Sequence, residues 1–291
     1  MAFNIGTFKT RTLTAIVFAV VMLSGLLINQ WTFFILFSII HFGCWIEYFK
    51  LGSLINLHYL QINSIHKNGV MLLGWAFMLW MTNHFYKIGS VELHGIGWLL
   101  MMILSVVLLS TEIVFKKQLN IKVVGYSVVG LIYISLSWGL MIDLRNADSV
   151  FGGKYILNDF GKYLPCIIIF SIWINDTMAY IVGSLIGKMP LSKISPKKTW
   201  EGTIGGIILS VLVMGLIAYF ISKNIDKNIL MIALISAVAG TFGDLLESKL
   251  KRMANVKDSG SFMPGHGGFL DRFDSLLLAT PFVWLYVHLL S

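Results

Sequence analysis

Nine long apolar runs leave this chain few ways to fold. They lie at about residues 13–29, 31–49, 69–86, 95–115, 123–142, 163–187, 203–221, 229–247 and 276–290. A helix that crosses a bilayer needs roughly 20 mostly apolar residues, and most of the runs approach that length. Backbone inside lipid must satisfy its own hydrogen bonds, so only helices or closed barrels can span. The runs are continuous rather than alternating, which excludes a barrel. Of 291 residues, 57% are hydrophobic and 12% charged, where soluble domains carry about 25% charged. The expectation is an all-α, polytopic integral membrane protein with about nine transmembrane helices.

The first run follows Lys9 and Arg11, as a signal peptide would. It is too long for one, lacks a small-x-small cleavage site and precedes many further spans, so it reads as a retained helix. A tight turn at Asn29-Gln30 separates it from the second run. Cys44 and Cys166 fall inside apolar runs and read as packing residues. The net charge of +8 sits in short loops, which points to topology rather than to nucleic acid. With the N-terminus in the cytoplasm, 16 of the 22 Lys and Arg lie on cytoplasmic segments, among them Lys116, Lys117 and Lys122. The other six, Lys87, Arg145, Lys154, Lys162, Lys223 and Lys227, lie on the opposite side. That asymmetry predicts a cytoplasmic N-terminus and a C-terminus on the opposite side. The whole chain, 1–291, reads as a single transmembrane domain. Its N-terminal spans, 1–150, carry no motif; its catalytic spans, 163–291, carry two cytoplasmic loops, 188–202 and 248–275.

Those loops and their flanks hold the chemistry. Ser248 to Asp274 contains five cations, three carboxylates, a histidine and a run of glycines. Crossing a bilayer requires no such cluster. The sixth run carries Trp173, Asn175, Asp176, Thr177, Tyr180, Gly183 and Gly187, and an ionisable residue in a span marks a functional site by default. The loop after it reads Ser195-Pro196-Lys197-Lys198-Thr199-Trp200-Glu201-Gly202. Ammonium groups and hydroxyls of this kind suit phosphate oxygens. Thr199 also stands where it can cap the next helix, whose free N–H groups favour anions. An ordinary positive loop, or one that attracts anionic lipid, would look similar.

Asp244 and Glu247 are three residues apart and share a helical face, as do Asp271 and Asp274. Paired carboxylates at a membrane boundary repel unless a cation lies between them. Lys251, four residues after Glu247, could supply a surface ion pair instead. Gly265, Gly267 and Gly268 let backbone approach a ligand closely. Together the groups suit magnesium-assisted phosphoryl chemistry, because magnesium takes one or two carboxylates plus substrate phosphates. Asp244 and Asp271 would meet if the eighth and ninth spans were neighbours. No Gly-x-x-x-x-Gly-Lys-Ser/Thr loop occurs, which excludes a P-loop nucleotidase.

The segment S-K-L-K-R-x4-K-D-S-G-x3-P-G-H-G-G-x-L-D-R-x-D, residues 248–274, resembles the signature of phosphatidate cytidylyltransferases (CDP-diacylglycerol synthases). The run W-x-x-D-x-x-A-Y-x-x-G-x3-G-K from Trp173, followed by S-P-K-K-T-x-E-G, resembles the second conserved region of that family. The likeness covers about residues 173–275 in motif detail. It implies that CTP and phosphatidic acid give CDP-diacylglycerol and pyrophosphate. It also implies a Mg2+ site facing the cytoplasm, with a second cation such as K+ as a family possibility. Asp244 and Asp271 are the first candidates for metal ligands, and Asp274, Glu247 and Asp258 are weaker ones. Asp176 is a candidate for the substrate pocket or for a place behind the metal.

On that reading the ionised lipid phosphate, whose second pKa is about 6, attacks the α-phosphorus of CTP in line. The protein then mainly positions groups and neutralises charge. Lys197, Lys198, Lys257 and Arg272 bind phosphates, and His266 positions a phosphate or stabilises the leaving pyrophosphate. Ser195, Thr199, Gly267 and Gly268 complete the substrate-binding set. Two rival functions stand beside it. A CTP-dependent lipid kinase would transfer the γ-phosphate. A transporter would place its site near the midplane between repeated halves, and no repeat is evident here. A bacterial plasma membrane is the expected location and a homodimer is compatible with the glycine-rich faces. Acyl-chain preference and the choice between CTP and dCTP leave no trace in the sequence.

Overall fold

The computed structural model describes residues 5–60, 62–114, 121–147, 160–262 and 267–289. His266, the neighbouring Gly265, and the loop cations Lys116, Lys117 and Lys154 lie outside the described residues. The chain is helical almost throughout. In order it forms α1 (Ile5–Leu27), α2 (Gln30–Ile55), α3 (Leu57–Leu60), α4 (Ser64–Trp80), α5 (Leu93–Val114) and α6 (Ile121–Gly130). A π-helical stretch (Leu131–Leu136) leads into α7 (Ser137–Arg145). Then come α8 (Phe160–Ile186), α9 (Trp200–Ser222), α10 (Lys227–Met253) and α11 (Leu270–Leu289). A short hairpin of β1 (Lys87–Ile88) and β2 (Val91–Glu92) turns at Gly89, where φ is +64°, and is closed by a 3.2 Å Lys87–Glu92 ion pair.

All nine apolar runs are helical over most of their length. Among the described residues, six helical segments are long and apolar enough to cross a membrane: Gln30–Ile55, Leu93–Thr111, Ile121–Arg145, Gly161–Ile186, Trp200–Ser222 and Lys227–Met253. On α5, Leu99, Met102, Val106 and Leu109 recur every three or four residues and are all exposed. An exposed apolar stripe of that kind suits lipid rather than water. The third run ends early, at Trp80, because Thr82 and Asn83 turn the chain. The Thr82 hydroxyl donates to the Leu79 carbonyl (2.6 Å) and the Asn83 side chain accepts from the Phe85 N–H (3.1 Å).

The chain forms two compact units, residues 1–143 with 253–272, and residues 144–252 with 273–291. In the first, α2 begins at the anticipated Asn29-Gln30 turn. Asn29 accepts from the Thr32 N–H (2.9 Å) while the Thr32 hydroxyl faces back to the Asn29 backbone, a reciprocal cap. Phe33, Phe37 and Trp45 of α2 are fully buried. Polar groups fasten α2 to its neighbours: Trp45 Nε1 donates to Ser135 Oγ in the π-helical stretch (2.9 Å), and Trp75 Nε1 of α4 donates to Ser38 Oγ (3.0 Å). Such bonds supply what apolar burial cannot between helices in lipid.

The second unit is built on α8, α9, α10 and α11. Gly202 and Gly206 of α9 lie against the α8 carbonyls of Ala179 and Asn175, so the two backbones nearly touch. Ser210 Oγ of α9 donates to the Ser171 carbonyl of α8 (2.7 Å), and Asn175 Nδ2 of α8 reaches Thr241 Oγ1 of α10 (3.4 Å). A side chain at Gly243 of α10 would meet the Asp274 carbonyl and Ser275 Cα of α11. These close approaches bring the polar parts of four helices together.

Candidate active site

The loop between α8 and α9 is folded back on itself. The Leu191 N–H donates to the Lys198 carbonyl (2.7 Å), the Trp200 N–H to the Met189 carbonyl (2.9 Å) and the Lys198 N–H to the Ser195 carbonyl (3.1 Å). Glu201, in the first turn of α9, accepts from the N–H groups of Lys188 (3.1 Å) and Met189 (3.3 Å). Thr199 accepts from the Gly202 N–H (3.1 Å) and caps α9, as its position in the sequence suggests. Each bond answers a residue of the Ser-Pro-Lys-Lys-Thr-x-Glu-Gly motif, so the motif first of all builds a fixed loop.

That loop carries Lys197, Lys198 and Thr199 to a cavity of about 430 Å³. Asn175 and Asp176 of α8 and Asp244 of α10 also line it. The volume suits a small molecule, whose pockets run from about 300 to 1,000 Å³. Lys198 Nζ forms an ion pair with the Asp244 carboxylate, and the two side chains are 29% and 27% exposed. The pair is partly buried and both partners line the cavity.

Asp244 also belongs to a carboxylate cluster. Asp244, Glu247 and Asp274 each offer an oxygen within 4.8 Å of the others. Asp244 and Glu247 share a face of α10, and the bare backbone at Gly243 lets α11 bring Asp274 alongside them. Glu247 and Asp274 are buried, with Glu247 at 0% exposure. Lys251 pairs with Glu247 one turn on, but inside the protein rather than on its surface. Three converging carboxylates repel each other strongly without positive charge, and a hard divalent cation is what such oxygens bind. Ligands opposite each other on an ion held at about 2.1 Å are ~4.2 Å apart. The donors need only small movements to fit, so the cluster is a candidate divalent-cation site.

In the first unit, the segment before α11 is organised around two other carboxylates. Asp271 Oδ2 accepts from the Ser259 N–H (2.9 Å) and the Gly268 N–H (2.7 Å), and the Ser259 hydroxyl oxygen stands 2.9 Å from it. Gly267 has φ +83°, a conformation that favours glycine, and a side chain there would run into Asp271. Glu47 of α2 accepts from the Ser259 hydroxyl (2.7 Å), the Phe269 N–H (2.8 Å) and the Leu270 N–H (2.9 Å). Lys257, Asp258 and Arg272 are exposed.

Residues 9–290 match the family model described as the cytidylyltransferase family. The chain belongs to the cytidylyltransferase family. It is 34% identical to the phosphatidate cytidylyltransferase of Bacillus subtilis (strain 168), covering 97% of this chain and 98% of that one. It is 32% identical to the phosphatidate cytidylyltransferase of Staphylococcus saprophyticus and 31% identical to that of Staphylococcus haemolyticus. Each of those two likenesses covers 94% of this chain and 96% of the relative.

Within this cytidylyltransferase the second unit assembles Asp176, Lys197, Lys198, Thr199 and Asp244 around one cavity, and Asp244, Glu247 and Asp274 in one cluster. Ser195 contributes its carbonyl to the loop turn. Asp271, Gly267 and Gly268 fall together in the first unit. Glu47 was passed over in the sequence because it lies in the second apolar run. The signal that singled out Asp176, a carboxylate inside such a run, applies to Glu47 equally.

Proposed function

We propose that this protein transfers the cytidylyl group of CTP to phosphatidic acid, giving CDP-diacylglycerol and pyrophosphate. The observation that carries the reading is the cavity of Lys197, Lys198, Thr199 and Asp244 joined to the carboxylate cluster, in a chain that matches phosphatidate cytidylyltransferases over nearly its whole length. Lys197 and Lys198 neutralise phosphate, and the N-terminal N–H groups of α9 add their dipole to the same side. Lys198 exchanges its Asp244 partner for phosphate when the nucleotide enters. Lys257 and Arg272 bind further phosphate oxygens, with Ser195, Gly267 and Gly268 as polar and backbone contacts, and His266 serves the phosphates or the leaving pyrophosphate. Asp176 binds substrate from the wall of the cavity.

Asp244, Glu247 and Asp274 are the residues that would hold Mg2+, with Asp271 and Asp258 as further carboxylates of the site. When bound, the ion lowers the charge on the triphosphate and polarises it for displacement. A second cation such as K+ belongs to the same proposal. The lipid phosphate needs no strong base, since it is already largely ionised near neutral pH. The remaining tasks are holding the attacking oxygen in line and keeping the acyl chains in the membrane.

The same reading takes the nine helical runs as nine spans, with the N-terminus and the two motif loops in the cytoplasm of a bacterial plasma membrane and the C-terminus outside. CTP then arrives from water and the lipid from the bilayer. The homodimer expectation is read out by the mass of the solubilised protein. The activity test uses detergent-solubilised protein, phosphatidic acid, Mg2+ and CTP labelled separately at the α- and γ-phosphates. α-Label in lipid with γ-label in pyrophosphate supports the proposal. γ-Label in lipid means a kinase, and no label in lipid from folded protein rejects both.

A further inference from the structure

We infer that Glu47 is a positioning residue for the proposed reaction: from α2 it sets the signature residues Ser259, Gly260, Gly268, Phe269 and Leu270, and with them the start of α11. The inference rests on the cytidylyl-transfer reading for its effect on turnover, and on geometry alone for its effect on the segment.

Glu47 is 7% exposed in a mostly apolar helix. A carboxylate in such a place is costly unless its oxygens are fully used. Both are used, and every partner named above lies in the signature segment, 212 to 223 residues further along the chain. Oε1 takes the Phe269 N–H; Oε2 takes the Leu270 N–H and the Ser259 hydroxyl. Phe269 and Leu270 are where α11 begins, and the first N–H groups of a helix have no partner within it. Glu47 therefore caps α11 from another helix, with the charge sign that a helix N-terminus favours.

The segment is shaped to receive this one carboxylate. A Cβ at Gly260 or at Gly268 would overlap Glu47 Oε1, so the signature has glycine at the two points where its backbone wraps the side chain. Ser259 links the arrangement to the chemistry. Its hydroxyl stands 2.7 Å from Glu47 Oε2 and 2.9 Å from Asp271 Oδ2, and its N–H donates to the same Asp271 oxygen. One side of the clamp fixes the helix start and the other fixes Asp271. The first turns of α11 also carry Arg272 and Asp274. A residue of the N-terminal half, where no motif stands, thus sets the backbone on which the signature charges stand. Glu47 has no contact with the reacting atoms in this role.

The test compares Glu47→Gln, Glu47→Asp and Ser259→Ala in the full-length, solubilised protein. Glutamine has the same shape but turns an NH2 toward a donor, so it cannot serve both oxygens' partners. Expected for Glu47→Gln is a kcat lowered roughly 10–100-fold, the cost of about 1 Å of misplacement, with KM for CTP changed little. Trypsin cleavage after Lys257 should speed up at least as much, while the unfolding temperature stays near that of the parent. Glu47→Asp keeps the charge and should recover part of both readouts; Ser259→Ala should show a smaller version of both. Parental kcat and cleavage rate in Glu47→Gln would overturn the inference. So would faster cleavage that appears only together with global unfolding, or a kcat equally low in Glu47→Asp and Glu47→Gln. If the parent transfers no cytidylyl group, the functional reading fails, and the cleavage comparison still decides whether Glu47 holds the segment.

Discussion

Replacing Gly243 by alanine tests how the carboxylate cluster is assembled. Alanine in place of glycine inside a helix ordinarily stabilises by about 1 kcal/mol. At Gly243 the new Cβ would sit 2.5 Å from the Asp274 carbonyl oxygen and 2.9 Å from Ser275 Cα. These are backbone atoms of α11 and cannot rotate aside. Reaching ordinary contact at ~3.4 Å moves α10 and α11 apart locally by roughly 0.9 Å, and overpacking of this kind costs about 1–3 kcal/mol. The clash outweighs the gain in helix propensity, so Gly243→Ala should destabilise. The same movement takes Asp274 away from Asp244 and Glu247. Donors already up to 4.8 Å apart would then exceed the ~4.2 Å that one ion spans by well over an ångström. The Mg2+ concentration for half-maximal turnover should rise at least tenfold, about 1.4 kcal/mol. Gly240→Ala, one turn earlier, is the control. Its Cβ would meet only side-chain atoms, Ile172 Cγ1 at 3.3 Å and Ser275 Cβ at 3.4 Å, so stability and Mg2+ dependence should stay near those of the parent. Thermal unfolding and Mg2+ titration of both variants are the assays. A stabilised Gly243→Ala with parental Mg2+ dependence would refute the idea that this glycine lets Asp274 join the cluster.

Further expectations follow from single contacts. Asp271→Asn keeps an oxygen for the Ser259 and Gly268 N–H groups but loses the charge; it should stay folded and lose at least ~100-fold in turnover, the scale of a lost electrostatic group in a site, and near-normal turnover would remove Asp271 from the site. Thr199→Val removes the cap of α9 and should cost about 1 kcal/mol in thermal stability, with Thr199→Ser close to the parent; loss in Thr199→Ser with Thr199→Val near the parent would mean that the methyl group, not the hydroxyl, matters. Gly267→Ala forces a side chain into φ +83° and against Asp271, and circular dichroism with turnover should show retained helix and lost activity. Chelation of divalent ions should abolish turnover reversibly, and restoration by Mg2+ but not by K+ alone would identify which cation the reaction requires.

Much of this was legible in the residues. The apolar runs mark the helices because backbone in lipid has few alternatives, and the charges beside them mark the polar groups because lipid makes charge expensive. Asp176, Lys197, Lys198 and Asp244 were each visible in that way and do share a cavity. Pairing across elements was less visible. Asp271 and Asp274 lie one turn apart on α11, and spacing alone does not say which of them joins the α10 carboxylates; the oxygens within 4.8 Å of one another are those of Asp244, Glu247 and Asp274. Helical spacing offered a surface ion pair with Lys251 as the alternative role for Glu247; the pair forms, but Glu247 is wholly buried, because burial depends on neighbours that helical periodicity does not name. Glu47 was missed for a similar reason. A carboxylate inside an apolar run marks it, but the segment that gives it meaning is more than 200 residues away.

That separation has a consequence for how the protein is made. Glu47 leaves the ribosome 212 residues before Ser259, a delay of about 10–40 s at about 5–20 residues per second. Through that interval α2 must reside in or beside the membrane with an acidic group whose partners do not yet exist. Glu47 stands two residues from the end of the second apolar run and three before Lys50, where an acidic side chain can reach the interface at a lower cost than the ~2.5–3.5 kcal/mol of a helix centre. A chain halted before Ser259 would therefore keep α2 inserted but leave its last turns without the segment that fixes them.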